Sequence, residues 1–272
     1  MTVSFPLYQG KHVLVSVTDP AEHAAYVRRR DPNATLSGTA GVVLVYQQPL
    51  LDHALASYPT RPLHHWVRGD LRTLNVNGHP VALCGGFGVG APAAALVLEQ
   101  LIALGARRVI TIGTAATLTP ELAPGSLVVC SSALRDDGVS RHYLPPGAWA
   151  APAQDLTRHL TQVCEARGIV VRQGPTWTTD APYRETAGEV GQYALAGVLT
   201  ADMESAGLFA VAAHRRIPAA AVLAVADSLV DRQPRQDHPQ VGQGLRTALD
   251  AALTALTTFG ADARPCQPGA LR

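Results

Sequence analysis

The chain has 272 residues, of which 47% are hydrophobic and 16% are charged, and its formal net charge is +1. This length allows one large α/β domain with a substantial core. A charge so close to zero, together with an aromatic content of 5%, argues against nucleic acid and membranes as partners. Those ligands select a strong positive field or aromatic stacking surfaces.

The cysteines and the apolar runs carry no signal for secretion, metal binding or membrane insertion. The cysteines are scattered without a CxxC pair, so neither a disulfide framework nor a zinc site is expected; they are Cys84, Cys130, Cys164 and Cys266. The first residues lack a basic, apolar leader, and no apolar run reaches the roughly 18 residues that a bilayer span requires. We therefore expect a cytoplasmic protein with no metal or other cofactor.

Strand-like apolar runs alternate with helical patterns along the chain. In chain order, the predicted elements are strands at 12–17, 41–46 and 81–84, a helix from Pro92 to about 103, strands at 108–112 and 127–130, a helix at 155–167, a strand at 170–177, helices at 186–195 and 202–214, a strand at 219–226 and a helix at 243–259. Residues 260–272 are rich in Pro and Gly and are expected to fray. One domain is therefore predicted over residues 1–259.

Continuous apolar strands separated by helices indicate an α/β fold, with a largely parallel sheet covered by helices. In such sheets, ligands bind at the carboxyl ends of the strands. Three features fall there: the glycine-rich segment 86–90, Thr114 after one strand and Asp227 after another. Their convergence predicts a binding site at this edge of the sheet.

Two acidic residues stand out at the start of a helix and at the end of a strand. Glu204 lies in the first turn of the apolar helix 202–214, which Asp202 is predicted to cap, and Asp227 follows the strand 219–226. Each has an ordinary explanation, since acidic residues favour first helical turns and aspartate favours turns. Because buried charge is unfavourable unless something binds it, we interpret the pair as a site. One carboxylate would bind hydroxyl groups and the other would move a proton.

The glycine-rich segment is a weaker signal. Its position before a helix could hold an anion on free N–H groups. The spacing also fits a loose dinucleotide fingerprint, but the acidic residue required about 20 positions later is missing. A tight turn without a ligand explains the glycines equally well.

Seven short segments are similar, in chain order, to those of the nucleoside phosphorylases of the purine and uridine phosphorylase type and their nucleosidase relatives. They are GVGAP at 88–92, IGT at 112–114, GSLVV at 125–129, DG at 137–138, TDAPY at 179–183, DMES at 202–205 and AD at 226–227. The resemblance implies a single-domain, three-layer α/β/α phosphorylase-like fold around a mixed, largely parallel sheet. It also implies a homo-oligomer, either a dimer or a hexamer.

The same resemblance implies roles for individual residues. Met203 and Glu204 would hold the ribose, with Glu204 accepting hydrogen bonds from its hydroxyl groups, and Thr114 would lie between the ribose and the nucleophile. Asp227 would protonate the leaving base, with burial favouring its neutral form. The residues expected to line the base are Ala115, Ala116, Trp177, Thr179, Asp180, Pro182 and Tyr183. Two such acids would stabilise the charges that develop as the N-glycosidic bond breaks.

The phosphate-binding residues are where this sequence departs from the family. The first phosphate loop of the family reads Gly-Asp-Pro-x-Arg, and TDPAE at 18–22 is the segment matched to it, with Glu22 in place of the arginine. Thr111 replaces a second arginine, and Arg68 would correspond to a third, which a neighbouring subunit supplies in the family. Losing guanidinium groups weakens anion recognition. The expected phosphate or water site comprises Thr18, Glu22, Arg68, Gly88, Thr111 and Thr114.

Three functions remain open at this point. The favoured one is a nucleoside phosphorylase, which uses phosphate as a co-substrate to release a free base and ribose 1-phosphate. A purine is favoured over uridine because Asp227 could protonate a ring nitrogen and the Gln-x-Arg pattern of the uridine enzymes is missing after Tyr183. The alternatives are a nucleosidase, with Glu22 orienting water, and a non-catalytic nucleoside-binding protein, against which the two retained acids argue.

Overall fold

Ten strands form one mixed sheet in the computed structural model, which describes residues 8–234 and 236–260. In chain order the strands are β1 (Val42–Val45), β2 (Thr60–Pro62), β3 (Asp70–Val76), β4 (His79–Gly85), β5 (Val109–Thr117), β6 (Leu127–Asp136), β7 (Trp149–Ala150), β8 (Val171–Thr179), β9 (Thr200–Asp202) and β10 (Ala219–Ser228). The helices are α1 (Pro20–Arg28), α2 (Gln48–Ser57), α3 (Ala91–Ala103), α4 (Gln154–Ala166), α5 (Ala187–Leu195), α6 (Ser205–Arg215) and α7 (Pro239–Thr258). Short 3₁₀ turns occur at Lys11–Val13, Ser140–His142 and Pro182–Arg184.

Five of the strands close into a ring. β5 pairs with β10, β10 with β6, β6 with β8, β8 with β9, and β9 with β5 again. β1, β4, β3 and β2 extend the sheet outward from β5. Within the described residues, five of the ten strand pairings are parallel. The sheet is therefore mixed, as predicted, with a larger antiparallel part than the sequence indicated.

Helices cover both faces of the sheet, and β1 shows how. Val43 and Val45 pack in the apolar cluster that includes residues of α2, α4 and α7. Val42 and Leu44 pack in the cluster on the other side, with residues of α1, α3 and α6. Successive strand residues point to opposite faces, so a continuous apolar run suits a strand buried on both sides. The outcome is the predicted three-layer α/β/α arrangement.

The strand predicted at 12–17 is wrong. Lys11–Val13 forms a 3₁₀ turn, and Val15 and Val17 are exposed, at 97% and 102%. None of the described strands pairs with this segment, and an apolar run becomes a strand only where a partner satisfies its backbone groups. The first strand of the sheet is β1.

The elements that the sequence did not reveal are mostly short or polar. They include α2, β2, β3 and β9, of which β2 and β9 have three residues each. The N-terminus of α2 has no side-chain cap, so Pro49 is the remaining sequence signal for its start. The other predicted helices and strands are confirmed, with ends displaced by up to about six residues. Thr114 and Asp227, expected to follow strands, therefore lie within β5 and β10.

Cys84, Cys130 and Cys164 are buried free thiols. Cys266 lies outside the described residues, as do residues 261–272 of the tail that was expected to fray. Within the described part of the chain, no helix is both long and apolar enough to cross a bilayer.

Candidate active site

Glu204 lies immediately before α6 and is buried, with 7% of its surface exposed. Its Oε1 accepts a hydrogen bond of 2.6 Å from the backbone N–H of Gly90. Gly90 precedes α3 and has a φ of 92°, a conformation that favours glycine. The last glycine of the glycine-rich segment therefore donates to the buried carboxylate, and this N–H is not left for an anion.

Asp202 holds the backbone that leads into α6. Its Oδ2 accepts hydrogen bonds from the N–H groups of Ser205 at 2.8 Å and Glu204 at 3.3 Å. Its Oδ1 accepts from the hydroxyl of Thr178 at 2.6 Å, and that hydroxyl oxygen accepts from the N–H of Ala206 at 3.0 Å. The prediction of Asp202 as the N-cap is wrong, because α6 begins at Ser205 with Glu204 at the N-cap position and Asp202 is the last residue of β9. From that strand end, Asp202 still satisfies the N–H of Ser205, which has no partner within the helix.

The surroundings of Glu204 set its protonation. Burial first, and then the Asp202 carboxylate, raise the pKa of Glu204 to about 7, against the opposing effect of the Gly90 N–H. An ordinary glutamate is ionised at neutral pH, whereas Glu204 exchanges a proton there. Such a carboxyl group can accept hydrogen bonds from sugar hydroxyl groups when ionised and donate one when protonated.

The starts of α3 and α6 are held together by a contact that only glycine allows. A Cβ added at Gly207 would lie 2.8 Å from the Cβ of Ala91. Met203 borders the same loop, since a Cβ at Gly90 would lie 4.0 Å from its Cε. This close helix crossing positions the Gly90 N–H against Glu204.

We expect Gly207→Ala to lower the free energy of unfolding by about 1–3 kcal/mol, because the added methyl group overfills a packed crossing. Urea unfolding would measure this change. The matched control is Gly191→Ala in α5, where nothing lies within 4 Å of the added Cβ, so that the higher helix propensity of alanine should stabilise the protein slightly. Similar effects of the two substitutions would contradict the packing argument.

Uncharged side chains join the carboxyl ends of β1 and β5. The hydroxyl of Tyr46, just after β1, shares a hydrogen bond of 2.8 Å with that of Thr111. Gln47 Nε2 donates to the hydroxyl oxygen of Thr114 at 3.1 Å, while Gln47 Oε1 is buried without a partner. Burial, and then the Glu204 carboxylate, raise the pKa of Tyr46. Tyr46 is therefore a neutral hydroxyl within electrostatic reach of Glu204.

Asp227 occupies a different environment from the one expected. It lies where the pairing of β10 with β5 is irregular, between Val225 and Asp227, and such bulges redirect side chains. Its side chain is 43% exposed and forms an ion pair with Arg232. The expectation that burial favours the neutral acid is therefore wrong. Glu185 lies close enough to Asp227 to be affected by its charge. Burial first, and then the Asp227 charge, raise the pKa of Glu185.

The strand register brings the segments that carry the two acids to the same part of the sheet. Asp227 is opposite Ala116 on β5, and Ala116 is opposite Ala201 on β9. Two strand spacings amount to about 10 Å, and Glu204 follows Ala201 by three residues. The two segments therefore flank Ala116, and Ala115 beside it is buried.

Trp177 does not offer the aromatic face expected of it. It is 1% exposed, donates from Nε1 to Asp136 at 3.1 Å, and contacts Tyr193 edge-on at a centroid distance of 4.9 Å. It belongs to a small apolar cluster beneath α5. Its role in this structure is packing.

The segment that follows β8 uses most of its polar groups internally. Asp180 Oδ2 accepts from the N–H of Gly138 at 2.7 Å, and the hydroxyl oxygen of Thr179 accepts from the N–H two residues later at 3.3 Å. Pro182 begins a 3₁₀ turn, and Tyr183 in that turn is 99% exposed. Of the residues predicted to line a base, Tyr183 has the most freely accessible side chain.

The residues predicted to bind phosphate are not brought together. Thr18 and Glu22 are exposed and line a cavity of about 1,010 Å³ against α3 and the end of α6, which Glu204 and Asp227 do not line. Arg68 is also exposed. Its neighbour Gly69 packs directly on the strand before the glycine-rich segment, since a Cβ there would lie 2.1 Å from the carbonyl oxygen of Gly85. The exposed Gly88, with a φ of 99°, lies farther along that segment.

The comparisons with known proteins agree with the fold. The sequence profile of the phosphorylase superfamily matches residues 40–259. The chain belongs to the phosphorylase superfamily. Guanosine phosphorylase of Halorubrum lacusprofundi is 28% identical over 190 residues, which cover 66% of this chain and 78% of that protein. Uridine phosphorylase of Haemophilus influenzae is 26% identical over 196 residues, or 66% and 76% of the two chains.

Solved structures of the phosphorylase superfamily share the fold. The crystal structure of uridine phosphorylase from Vibrio fischeri superposes with a TM-score of 0.73 at 24% identity, covering 81% of this chain and 92% of that one. The resemblance drawn from the short segments is thus confirmed, and the protein is an enzyme of the phosphorylase type.

The superfamily match does not include residues 18–22, which were expected to form the first phosphate loop. The match begins at residue 40, so Thr18 and Glu22 precede it. Within it, a strand, a loop and a helix with an early proline occur at β1 and α2, where the sequence is QQPLL at 47–51. Matching Pro49 to the proline of Gly-Asp-Pro-x-Arg puts Leu51 at the position of the arginine. Leu51 is buried in the apolar core.

Sequence reasoning missed Tyr46, Gln47 and Glu185 as site residues. The first two follow a strand that was predicted correctly, and Pro49 would have marked the helix start that follows them. Glu185 carries no motif, and only the fold brings it near Asp227.

Proposed function

We propose that the protein cleaves the N-glycosidic bond of a nucleoside with phosphate, releasing the free base and ribose 1-phosphate. The superfamily match and the guanosine and uridine phosphorylases among its relatives support this activity. The observation that carries the proposal is the buried carboxyl group of Glu204, held by the Gly90 N–H, with a pKa of about 7. Burial of an ionisable group opposes folding, and groups with shifted pKa values are concentrated at functional sites. The position of Glu204 therefore indicates a functional role rather than a stabilising one.

In this proposal Glu204 accepts hydrogen bonds from the ribose hydroxyl groups, and Met203 packs against the sugar. Thr114 lies between the ribose and the phosphate. As the bond to the base lengthens, positive charge grows on the sugar, and the ionised form of Glu204 stabilises that charge more in the transition state than in the substrate.

The leaving base gains negative charge and needs a proton. Asp227 supplies it in this proposal, which favours purines because they carry a ring nitrogen that accepts one. The relatives include both guanosine and uridine phosphorylases, so the base preference rests on Asp227. Asp227 has to exchange its ion pair with Arg232 for a proton first, and Glu185 beside it is a second carboxyl group within reach of the same charge. Tyr183 supplies an exposed aromatic face for the base.

Hydrolysis is the second candidate. It is favoured by the residues found at two positions where the family has a phosphate-binding arginine. Leu51 and Thr111 occupy them, and both are buried and uncharged. Thr111 is bonded to Tyr46, and Gln47 has a buried amide oxygen without a partner. Neutral hydroxyl and amide groups suit water, whereas phosphate is normally recognised by guanidinium groups. Phosphorolysis therefore requires Arg68, the N–H groups near Gly88 or a neighbouring subunit to bind the anion.

Incubation with inosine, guanosine, adenosine and uridine, each with and without phosphate, would test the proposal. Phosphate-dependent release of base together with ribose 1-phosphate is the expected result. Equal turnover without phosphate, with free ribose as the product, would support hydrolysis instead. Tight binding of every nucleoside without turnover would overturn both and support a non-catalytic nucleoside-binding protein.

The assembly is part of the proposal. A homo-oligomer, either a dimer or a hexamer, in the cytoplasm would allow a neighbouring subunit to contribute a cation to the phosphate site. Light scattering of the purified protein would give the subunit number, and a monomer that is fully active with phosphate would contradict this part.

A further inference from the structure

Two buried carboxyl groups, those of Asp202 and Glu204, lie on either side of Met203. Under the proposed function, Glu204 binds the ribose and Asp202 does not. Asp202 is 5% exposed and Glu204 is 7% exposed. Both Asp202 oxygens are already hydrogen-bonded, to the Thr178 hydroxyl and to the N–H groups of Ser205 and Glu204. Burial raises the pKa of Asp202, and the donors directed at it oppose that rise by favouring the ionised form. Asp202 has three donors where Glu204 has the Gly90 N–H, so Asp202 is the member of this pair that more readily bears the negative charge.

The other groups around Glu204 do not neutralise this charge. From β9 it faces Asp202, from the segment after β8 it faces Asp180, and from the end of β1 it faces the neutral hydroxyl of Tyr46. The Gly90 N–H is the donor on the α3 side. The charged groups that act most strongly on Glu204, Asp202 and Asp180, are both acidic. Like charges this close oppose the ionisation of one another.

We propose that Asp202 is a positioning residue that sets both the placement and the charge state of Glu204, and thereby the pH range in which the enzyme acts on ribonucleosides. Its hydrogen bonds to the N–H groups of Glu204 and Ser205 fix the backbone that carries Glu204. Its charge adds to burial, which is the larger cause, in raising the pKa of Glu204, so that Glu204 in the empty site holds a proton that an isolated glutamate would have lost.

This arrangement couples the charge of Glu204 to the reaction. As positive charge develops on the sugar, it favours the ionised form of Glu204 and offsets the repulsion from Asp202. The negative charge of Glu204 therefore stabilises the cationic sugar of the transition state more than the neutral sugar of the substrate. An interaction of this kind accelerates bond cleavage rather than strengthening substrate binding. The inference rests on the proposed function for this last step, but the effect of Asp202 on Glu204 does not.

The test is the pH dependence of kcat/KM for a ribonucleoside that the wild type cleaves. In the wild type, kcat/KM should rise with pH through about 7 as Glu204 ionises. In Asp202→Asn, which keeps an oxygen for the helix N–H groups but removes the charge, the rising limb should move to lower pH by about one unit or more. Asp180→Asn is the matched control, because it removes a more weakly acting carboxylate, and the limb should move by less than half as much.

A measurement without turnover separates this inference from the proposed function. The Glu204 carboxyl carbon, labelled with ¹³C and assigned by its loss in Glu204→Gln, should titrate at lower pH in Asp202→Asn than in the wild type. If no nucleoside is cleaved but this shift is seen, the proposed function fails and the charge effect stands. If Asp202→Asn does not fold, Asp202→Ser keeps a capping oxygen without charge and should show the same shift. The inference would be overturned if Asp202→Asn left both the rising part of the kcat/KM profile and the ¹³C titration of Glu204 at their wild-type pH and lowered activity equally at every pH.

Discussion

Replacing Glu204 with glutamine is expected to lower kcat/KM for ribonucleosides by about 100-fold or more, because a preorganised charge that stabilises the cationic sugar is removed. Glutamine keeps an oxygen for the Gly90 N–H, which the carboxylate contacts at 2.6 Å. The local backbone should therefore stay in place. The loss should be smaller for 2′-deoxynucleosides, since these lack one of the hydroxyl groups that Glu204 binds. Initial rates on the two substrate classes would measure the difference.

The same substitution should stabilise the protein at alkaline pH. The pKa of Glu204 is raised in the folded protein from 4.5 to about 7. Between these values the folded protein retains a proton that the unfolded chain has released, so the free energy of unfolding falls as pH rises. The loss is complete above pH 7 and amounts to about 3 kcal/mol. Glutamine does not titrate, and the variant should gain up to about that amount relative to the wild type between about pH 5 and about pH 8.

Urea unfolding of both proteins at the two pH values would measure this gain. Asp155→Asn, which removes an exposed carboxylate from the first turn of α4, is the control and should show little change in activity or stability. A Glu204→Gln variant that mainly melts at a lower temperature at every pH would indicate a structural role for Glu204.

Asp227→Asn is expected to reduce turnover of purine nucleosides by about 100-fold to 10,000-fold, the range for loss of a general acid. Substrate binding should change little, because the amide is nearly the same size as the carboxyl group. A riboside with a nitrophenolate leaving group needs no protonation and should be cleaved at nearly the wild-type rate. Comparing kcat for inosine and for the nitrophenyl riboside would separate the two effects.

A matched control for Asp227 is available on the same segment. Asp231→Asn changes an exposed aspartate four residues away, whose recorded side-chain partner is Gln233, and turnover should be unaffected. If Asp227→Asn cleaves inosine at the wild-type rate, Asp227 is not the acid, and Glu185→Gln becomes the next variant to measure.

The fold could be predicted from the sequence where burial was two-sided. β1 and β10 are continuous apolar runs, and both strands were found because such runs have few alternative structures. The run at 12–17 has the same composition, but no described strand pairs with it, and Val15 and Val17 are exposed. Composition alone could not distinguish these cases, because strand formation depends on a partner that is distant in the sequence.

The burial of Glu204 could be predicted from the sequence, whereas the environment of Asp227 could not. Glu204 is buried as expected, because the small apolar residues that follow it in the sequence allow α6 to pack closely on α3. Asp227 is equally well marked in the sequence, yet it is half exposed and paired with Arg232. The bulge in β10 and the position of Arg232 arise from the tertiary structure, which local sequence patterns do not report.

The ring formed by β5, β10, β6, β8 and β9 has a consequence for how a substrate reaches the site. The segments that carry Glu204 and Asp227 are both attached to this ring, and a closed ring of paired strands has no free edge at which the spacing of its strands could easily change. The connections after β8 and β10, which carry the exposed Tyr183 and Arg232, lie outside the strand pairings. We therefore expect that exchanging these two connections would change the surroundings of Tyr183 and Arg232 while the spacing between the two acids stays constant.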